Sequence, residues 1–251
     1  MNLVISEISG STGIIKLNRP DKKNALSPSL IKEFVKIMDE FTASDKIRVV
    51  IITGEGDVFS AGADLAYLNQ LKDSSVLENE KDSSNIVELI LSVWECNKPV
   101  ICAVNGPAIA GGCGLATASD FIIADVNRAK FGYSEVKIGF LPAIVSFLLL
   151  KRIGEVKAKQ LLISGKIIPP VLAKEMGLID ELSENVLESA LTLANELLKN
   201  SQKSMEETKR FLRNIPLMDP KIAAEYLKNY NVISRTTTDF KEGINSFLKK
   251  R

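Results

Sequence analysis

Histidine is absent from the 251 residues, so no imidazole is available as a general base, a triad member or a zinc ligand. Proton transfer falls to carboxylates, Lys, Tyr, Cys or water, and no metal site is expected. Cysteine is scarce: Cys96, Cys102 and Cys113 share no C-x-x-C spacing and are odd in number, so reduced, structural thiols are expected. Cys113 stands at a predicted helix start, where a thiol pKa can fall; a nucleophile there is weighed against a small buried hydrophobe, and the latter is preferred. Charge of one sign is not in excess either. With 32 Lys+Arg against 31 Asp+Glu the net charge is +1, which gives no global case for nucleic acid or an anionic membrane as partner. The opening Met1-Asn2-Leu3-Val4-Ile5-Ser6-Glu7 has neither a basic leader nor a long apolar run, so a cytoplasmic enzyme is the expectation.

What is present is enough apolar material, 45% hydrophobic beside 25% charged, for one sizeable core. A hairpin is predicted over 3–8 and 13–17, closed by Ser9-Gly10-Ser11-Thr12. Ser27 is the predicted N-cap of a helix with Pro28 at its first position, and Leu30, Phe34, Ile37, Met38 and Phe41 recur at helical spacing. Strands follow over 47–53 and from Val100 to Val104, separated by a polar stretch, 69–85, read as a flexible loop or lid. After Pro169 amphipathic helices dominate, over 185–199, 204–213, 222–228 and 239–250. Strand, loop and helix alternate through most of the chain, so the fold class is α/β with a mostly parallel sheet.

Two glycine-bearing loops stand out, Phe59-Ser60-Ala61-Gly62-Ala63-Asp64-Leu65 and Asn105-Gly106-Pro107-Ala108-Ile109-Ala110-Gly111-Gly112-Cys113-Gly114. Each follows a β-branched run and opens a helix, where backbone N–H groups lack intrahelical partners and face the positive end of the dipole. Side by side, such loops form an oxyanion hole. A dinucleotide fingerprint does not fit, because G-x-G-x-x-G/A begun at Gly112 puts Thr117 at the last small position, and no phosphate-loop Lys-Ser/Thr follows.

With Asn18-Arg19-Pro20 and Asn24-Ala25-Leu26 upstream and Phe131-Gly132-Tyr133-Ser134-Glu135-Val136-Lys137-Ile138-Gly139 downstream, the chain resembles the enoyl-CoA hydratase/isomerase (crotonase) superfamily over nearly its whole length. The resemblance implies a spiral of ββα units over 1–200, carrying an acyl-CoA site, and a helical oligomerisation subdomain over 201–251. It implies hole donors at the N–H groups of Ala63 and Gly111. Composition alone reads Glu135 as a surface glutamate; the resemblance makes it the proton-transfer group, facing an apolar pocket that raises its pKa. Ala25, Ala61 and Leu65 match positions lining the adenine and pantetheine path. Lys22 and Lys23 are placed near the CoA phosphates, with exposed surface charge as the equal alternative. Asp64 is read as a ligand contact or, with more weight, as a favourable charge at a helix start. No cofactor is expected, since coenzyme A is part of the substrate; the implied assembly is a homotrimer or a dimer of trimers, with Phe247 and Lys250 as C-terminal residues of interest.

One departure bears on mechanism. Two-glutamate hydratases carry their other carboxylate three positions after the donor glycine, which here is Gly114. Hydration by Glu135 is the first expectation, supported by the likeness of the segment 135–146 to bacterial methylglutaconyl-CoA hydratases, which tolerate this glycine. The alternative is a 3-enoyl-CoA isomerase needing one carboxylate. A non-catalytic CoA-ester carrier or RNA-binding member is disfavoured by the near-neutral charge and by Glu135.

Overall fold

The computed structural model describes residues 2–215 and 218–249. Strands β1 (Val4–Ser9) and β2 (Thr12–Leu17) form the expected antiparallel hairpin, with Ser9 paired to Thr12 across Gly10 and Ser11. Parallel strands β3 (Val49–Gly54), β4 (Val100–Val104), β6 (Phe121–Asp125) and β9 (Glu181–Ser183) extend it to six strands in the order β1-β2-β3-β4-β6-β9. A second sheet holds β5 (Pro107–Ile109), β7 (Lys130–Gly132) and β8 (Ile167–Ile168) in the order β5-β7-β8.

The unbroken apolar runs of β3 and β4 follow from burial on both faces. Val50, Ile52, Val100 and Cys102 point into the main core, whereas Val49, Ile51, Ile101 and Ala103 meet Val186, Ala190 and Ala194 of α7 (Val186–Leu197). On the main face lies α1 (Pro28–Ala43), capped by the Ser27 hydroxyl, which accepts from the Leu30 N–H; Leu30, Phe34, Met38 and Phe41 are its buried stripe. Next to it packs α3 (Val76–Trp94), through Leu89, Ile90 and Val93.

The stretch 69–85 is a correction. It is not a loop: α2 (Leu65–Leu71) runs into it and α3 fills it from Val76 onward. Ser75 and Glu78 form a capping box, each side chain satisfying the other residue's backbone N–H, which nucleates α3 although most of its first three turns face solvent. Downstream, α4 (Gly111–Thr117), α5 (Ala143–Ser164) and α6 (Pro170–Glu175) complete the core. The C-terminal helices α8 (Gln202–Asn214), α9 (Pro220–Ser234) and α10 (Thr238–Lys249) agree with the expectation. Lys209 and Arg213 anchor α8 to the core: Lys209 pairs with Asp120, and Arg213 donates to the Glu95 and Cys96 carbonyls. Lys250 and the Phe247 side chain lie outside the described residues. No helix among the described residues is long and apolar enough to cross a membrane, and among them no cluster of three metal-ligating side chains occurs.

Candidate active site

The two glycine-bearing loops are stitched together by backbone. Ser60 N–H donates to Pro107 O at 3.1 Å and Ile109 N–H returns a bond to Ser60 O at 3.0 Å, extending β5 sideways onto the first loop. Asn24 holds that loop from below: its amide donates to Glu55 O and Val58 O, its Oδ1 accepts from Arg19 N–H, and its carbonyl accepts from the Ser60 hydroxyl. The Asn18-Arg19-Pro20 and Asn24-Ala25-Leu26 motifs are therefore scaffolding. Leu26 N–H donates to Gly62 O, and Gly62 N–H donates to Ser60 Oγ, so the first N–H beyond these bonds is that of Ala63.

On the second loop Ala110 N–H donates to Gly132 O at 2.7 Å while Ala110 itself has φ 51° and ψ −124°, a conformation that disfavours a Cβ. The turn ends at Gly111, the first residue of α4. Among the described residues neither the Ala63 nor the Gly111 N–H has an acceptor within the protein. Both residues line one cavity of 640 Å³. Hydrogen-bond donors that the fold leaves unused are free to take a ligand oxygen.

Glu135 lines the same cavity, on a 3-10 turn (Glu135–Ile138) after β7. It is buried, and its Oε2 has no hydrogen-bond partner in the protein. Burial away from water pushes its carboxyl group above the usual glutamate value, opposed only by its own backbone N–H. Around it Ile138, Phe140, Leu141, Ile144 and Val145 form an apolar wall. An unpaired carboxyl group there can take and return a proton.

The remaining expected site residues divide. Ala61 and Leu65 line the cavity. Asp64 lines it too, but its carboxylate is engaged internally: it caps α2 at the Ala66 and Tyr67 N–H groups and pairs with Arg19 at 2.6 Å, which holds it below the usual carboxylate range. Ala25 is buried and its carbonyl accepts from the same Arg19 guanidinium at 3.3 Å. Lys23 is exposed, and its carbonyl, not its ammonium, touches the site by accepting from Ala61 N–H. Lys22 is exposed beside it. Cys113 is fully buried, its thiol pushed up to about 12 by desolvation, which removes it as a nucleophile.

Sequence reasoning missed the α2–α3 wall. Tyr67, Asp82 and Ser83 bring polar groups to the cavity, and burial raises the Asp82 carboxyl group. The signal was the Ser75-x-x-Glu78 capping box, from which the helix could have been extended to Asp82. A second cavity, of 730 Å³, lies between α8 and the core at Trp94, Phe121 and Met205; its one acid, Asp120, is already paired with Lys209. Arg213, which also lines it, has a buried Nε without a partner, whereas the one buried carboxyl oxygen without a partner among the described residues, Glu135 Oε2, belongs to the first cavity.

Residues 7–251 match the family model described as enoyl-CoA hydratase/isomerase. A Thermus thermophilus protein is 39% identical over 96% of each chain. The crotonyl-CoA hydratase of Syntrophomonas wolfei is 32% identical, with 99% of this chain and 95% of that one covered. Among solved structures, an enoyl-CoA hydratase from Shewanella pealeana superposes with a TM-score of 0.95 at 26% identity, covering 99% of this chain and 94% of that one. The fold is thus the crotonase fold, and the chain belongs to the enoyl-CoA hydratase/isomerase family.

Proposed function

We propose that the protein hydrates the C2=C3 double bond of an enoyl-CoA thioester with Glu135 as its one acid/base group. The observation that carries this reading is the unpartnered Glu135 carboxyl group in the cavity that the free Ala63 and Gly111 N–H groups also line. The thioester oxygen sits between those two donors. Glu135 takes a proton from water as the water oxygen bonds to C3; the C2=C3 electron pair moves toward the thioester oxygen, giving an enolate that the two donors stabilise. The enolate then takes the Glu135 proton at C2, so the elements of water are added and the carboxylate is regenerated. No resident cofactor is needed, and Ala61 and Leu65 border the thioester arm.

Gly114 and its neighbour Val145 favour a second reading, in which Glu135 moves a proton between C4 and C2 of a 3-enoyl-CoA. That reaction needs no second acceptor for water. Crotonyl-, 3-methylglutaconyl- and 3-hexenoyl-CoA, each with the product identified, separate the two. A 3-hydroxyacyl product supports hydration, a shifted double bond supports isomerisation, and no turnover of any overturns both.

The same reading makes 201–251 the assembly region of a homotrimer or dimer of trimers. Its support is the exposed apolar set on the C-terminal helices, including Leu212, Ile222, Val232 and Ile233. Light scattering tests it directly; a monomer at micromolar concentration rejects it. None of α8–α10 lines the cavity among the described residues, so any wall they give the site comes from a neighbouring subunit.

A further inference from the structure

Val145 is buried at the start of α5 and lines the cavity, with Gly114 of α4 directly behind it. A Cβ added at Gly114 would stand 2.2 Å from Val145 Cγ1 and 3.0 Å from Val145 Cβ, whereas the next neighbour, Ile90 Cδ1, is at an ordinary 3.6 Å. A side chain at 114 thus meets one obstacle, Val145, which has to shift to admit it. The missing second acid is therefore more than a deletion: hydrocarbon from the opposite helix occupies its place. We propose that Val145 is a specificity-determining residue, and that the pair Gly114/Val145, rather than Gly114 alone, keeps a carboxyl group from position 114, leaving proton transfer to Glu135.

The proposal rests on the enoyl-CoA reading for its consequences in turnover, but its steric half does not. A close-packed interior yields little to an inserted methyl group, so a contact this short forces helix against helix. Removing Val145 in the same chain relieves the conflict. It also opens a niche beside Glu135 in which a carboxylate at 114 would hold water against C3, through the cavity wall that Val145 now forms. Gly114→Glu alone, with Val145 in place, is expected to leave hydration no faster than in wild type.

The test is a cycle of variants with two readouts. Melting temperatures are measured for Gly114→Ala, Val145→Gly and the double variant. Gly114→Ala is expected to lower the melting temperature by about 5 °C or more in the wild-type background and to change it little beside Val145→Gly. Hydration and isomerisation are then followed for Val145→Gly with and without Gly114→Glu. The carboxylate is expected to raise the ratio of hydration to isomerisation by about tenfold or more in that background. Equal costs for Gly114→Ala with and without Val145 overturn the steric claim. A folded Gly114→Glu/Val145→Gly protein with an unchanged ratio overturns the claim on specificity, as does a stable Gly114→Glu single variant that hydrates faster than wild type. If wild type turns over no enoyl-CoA, the functional reading fails while the melting cycle still decides the packing claim.

Discussion

A Cβ on Gly62 would stand 3.3 Å from Gly111 N, 2.9 Å from Ala110 Cβ and only 2.6 Å from Ile109 O. The first loop thus passes the second with no room for a side chain, at a residue whose φ of +84° already favours glycine. This approach brings the Ala63 and Gly111 N–H groups to one cavity. The strain at Ala110, next to Gly111, belongs to the same turn.

Gly62→Ala is accordingly expected to cost about 2 to 4 kcal/mol, from a disfavoured φ and an overpacked contact together. Turnover should fall by about 10² or more even where the protein remains folded, because displacing the loops misaligns a donor. Denaturant unfolding and steady-state rates check the two effects. A folded variant with wild-type turnover would show that the approach of the loops does not set the donors.

Cys113 offers a test of the opposite kind. Its thiol, at about 12, is almost wholly protonated at pH 8 and has no exposure. Iodoacetamide is expected to leave Cys96, Cys102 and Cys113 unlabelled in the native protein and to label all three in denaturant, since all are buried. Cys113→Ala should retain turnover near wild type. Loss of activity with the fold intact would return the thiol to the mechanism.

How far the sequence spoke for the structure depended on the range of the interactions. Ser27-Pro28, the unbroken apolar runs of β3 and β4, and the two glycine loops are local signals, and each element formed where its signal lay. In α3 the second half carries an apolar stripe, Ile86, Leu89, Ile90 and Val93, that marks it as helix; the first half is polar and mostly exposed, and only the Ser75/Glu78 cap betrays it. Arg19 with Asp64, and Gly114 with Val145, join residues from different elements. No periodicity encodes such pairs; the fold has to bring them together. The site was legible in its donors and its acid, and illegible in the wall that closes it.

Asp64 makes one such pair testable by pH. Its folded value lies below 3.8, chiefly through the Arg19 hydrogen bond, so its contribution is full well above 3.8 and is lost as pH falls through the folded value. Asp64→Ala removes the α2 cap and the partner of Arg19, with an expected cost of about 1 to 3 kcal/mol at neutral pH. The gap in melting temperature from wild type should stay constant from about pH 5 to 8 and shrink below 3.8. A gap that persists in acid would assign the effect to packing.

Glu135 carries the opposite sign. Burial raises its carboxyl group above the ordinary 4.5, so between that value and the raised one the native protein keeps a proton that the unfolded chain releases. Its contribution to stability is fullest below 4.5 and is lost as pH rises through the folded value. Glu135→Gln keeps the shape and cannot ionise, so its melting temperature should match wild type in mild acid and exceed it increasingly as pH rises. Turnover of the best enoyl-CoA should fall by roughly 10² or more, with the affinity for saturated butyryl-CoA unchanged, because the acid/base group is lost while the donors remain. Calorimetric titration and melting from acid to neutral pH read these together. Wild-type turnover in the Gln variant would remove Glu135 from the chemistry; a lost rate with no change in the pH dependence of melting would show that the carboxyl group acts without being perturbed by burial.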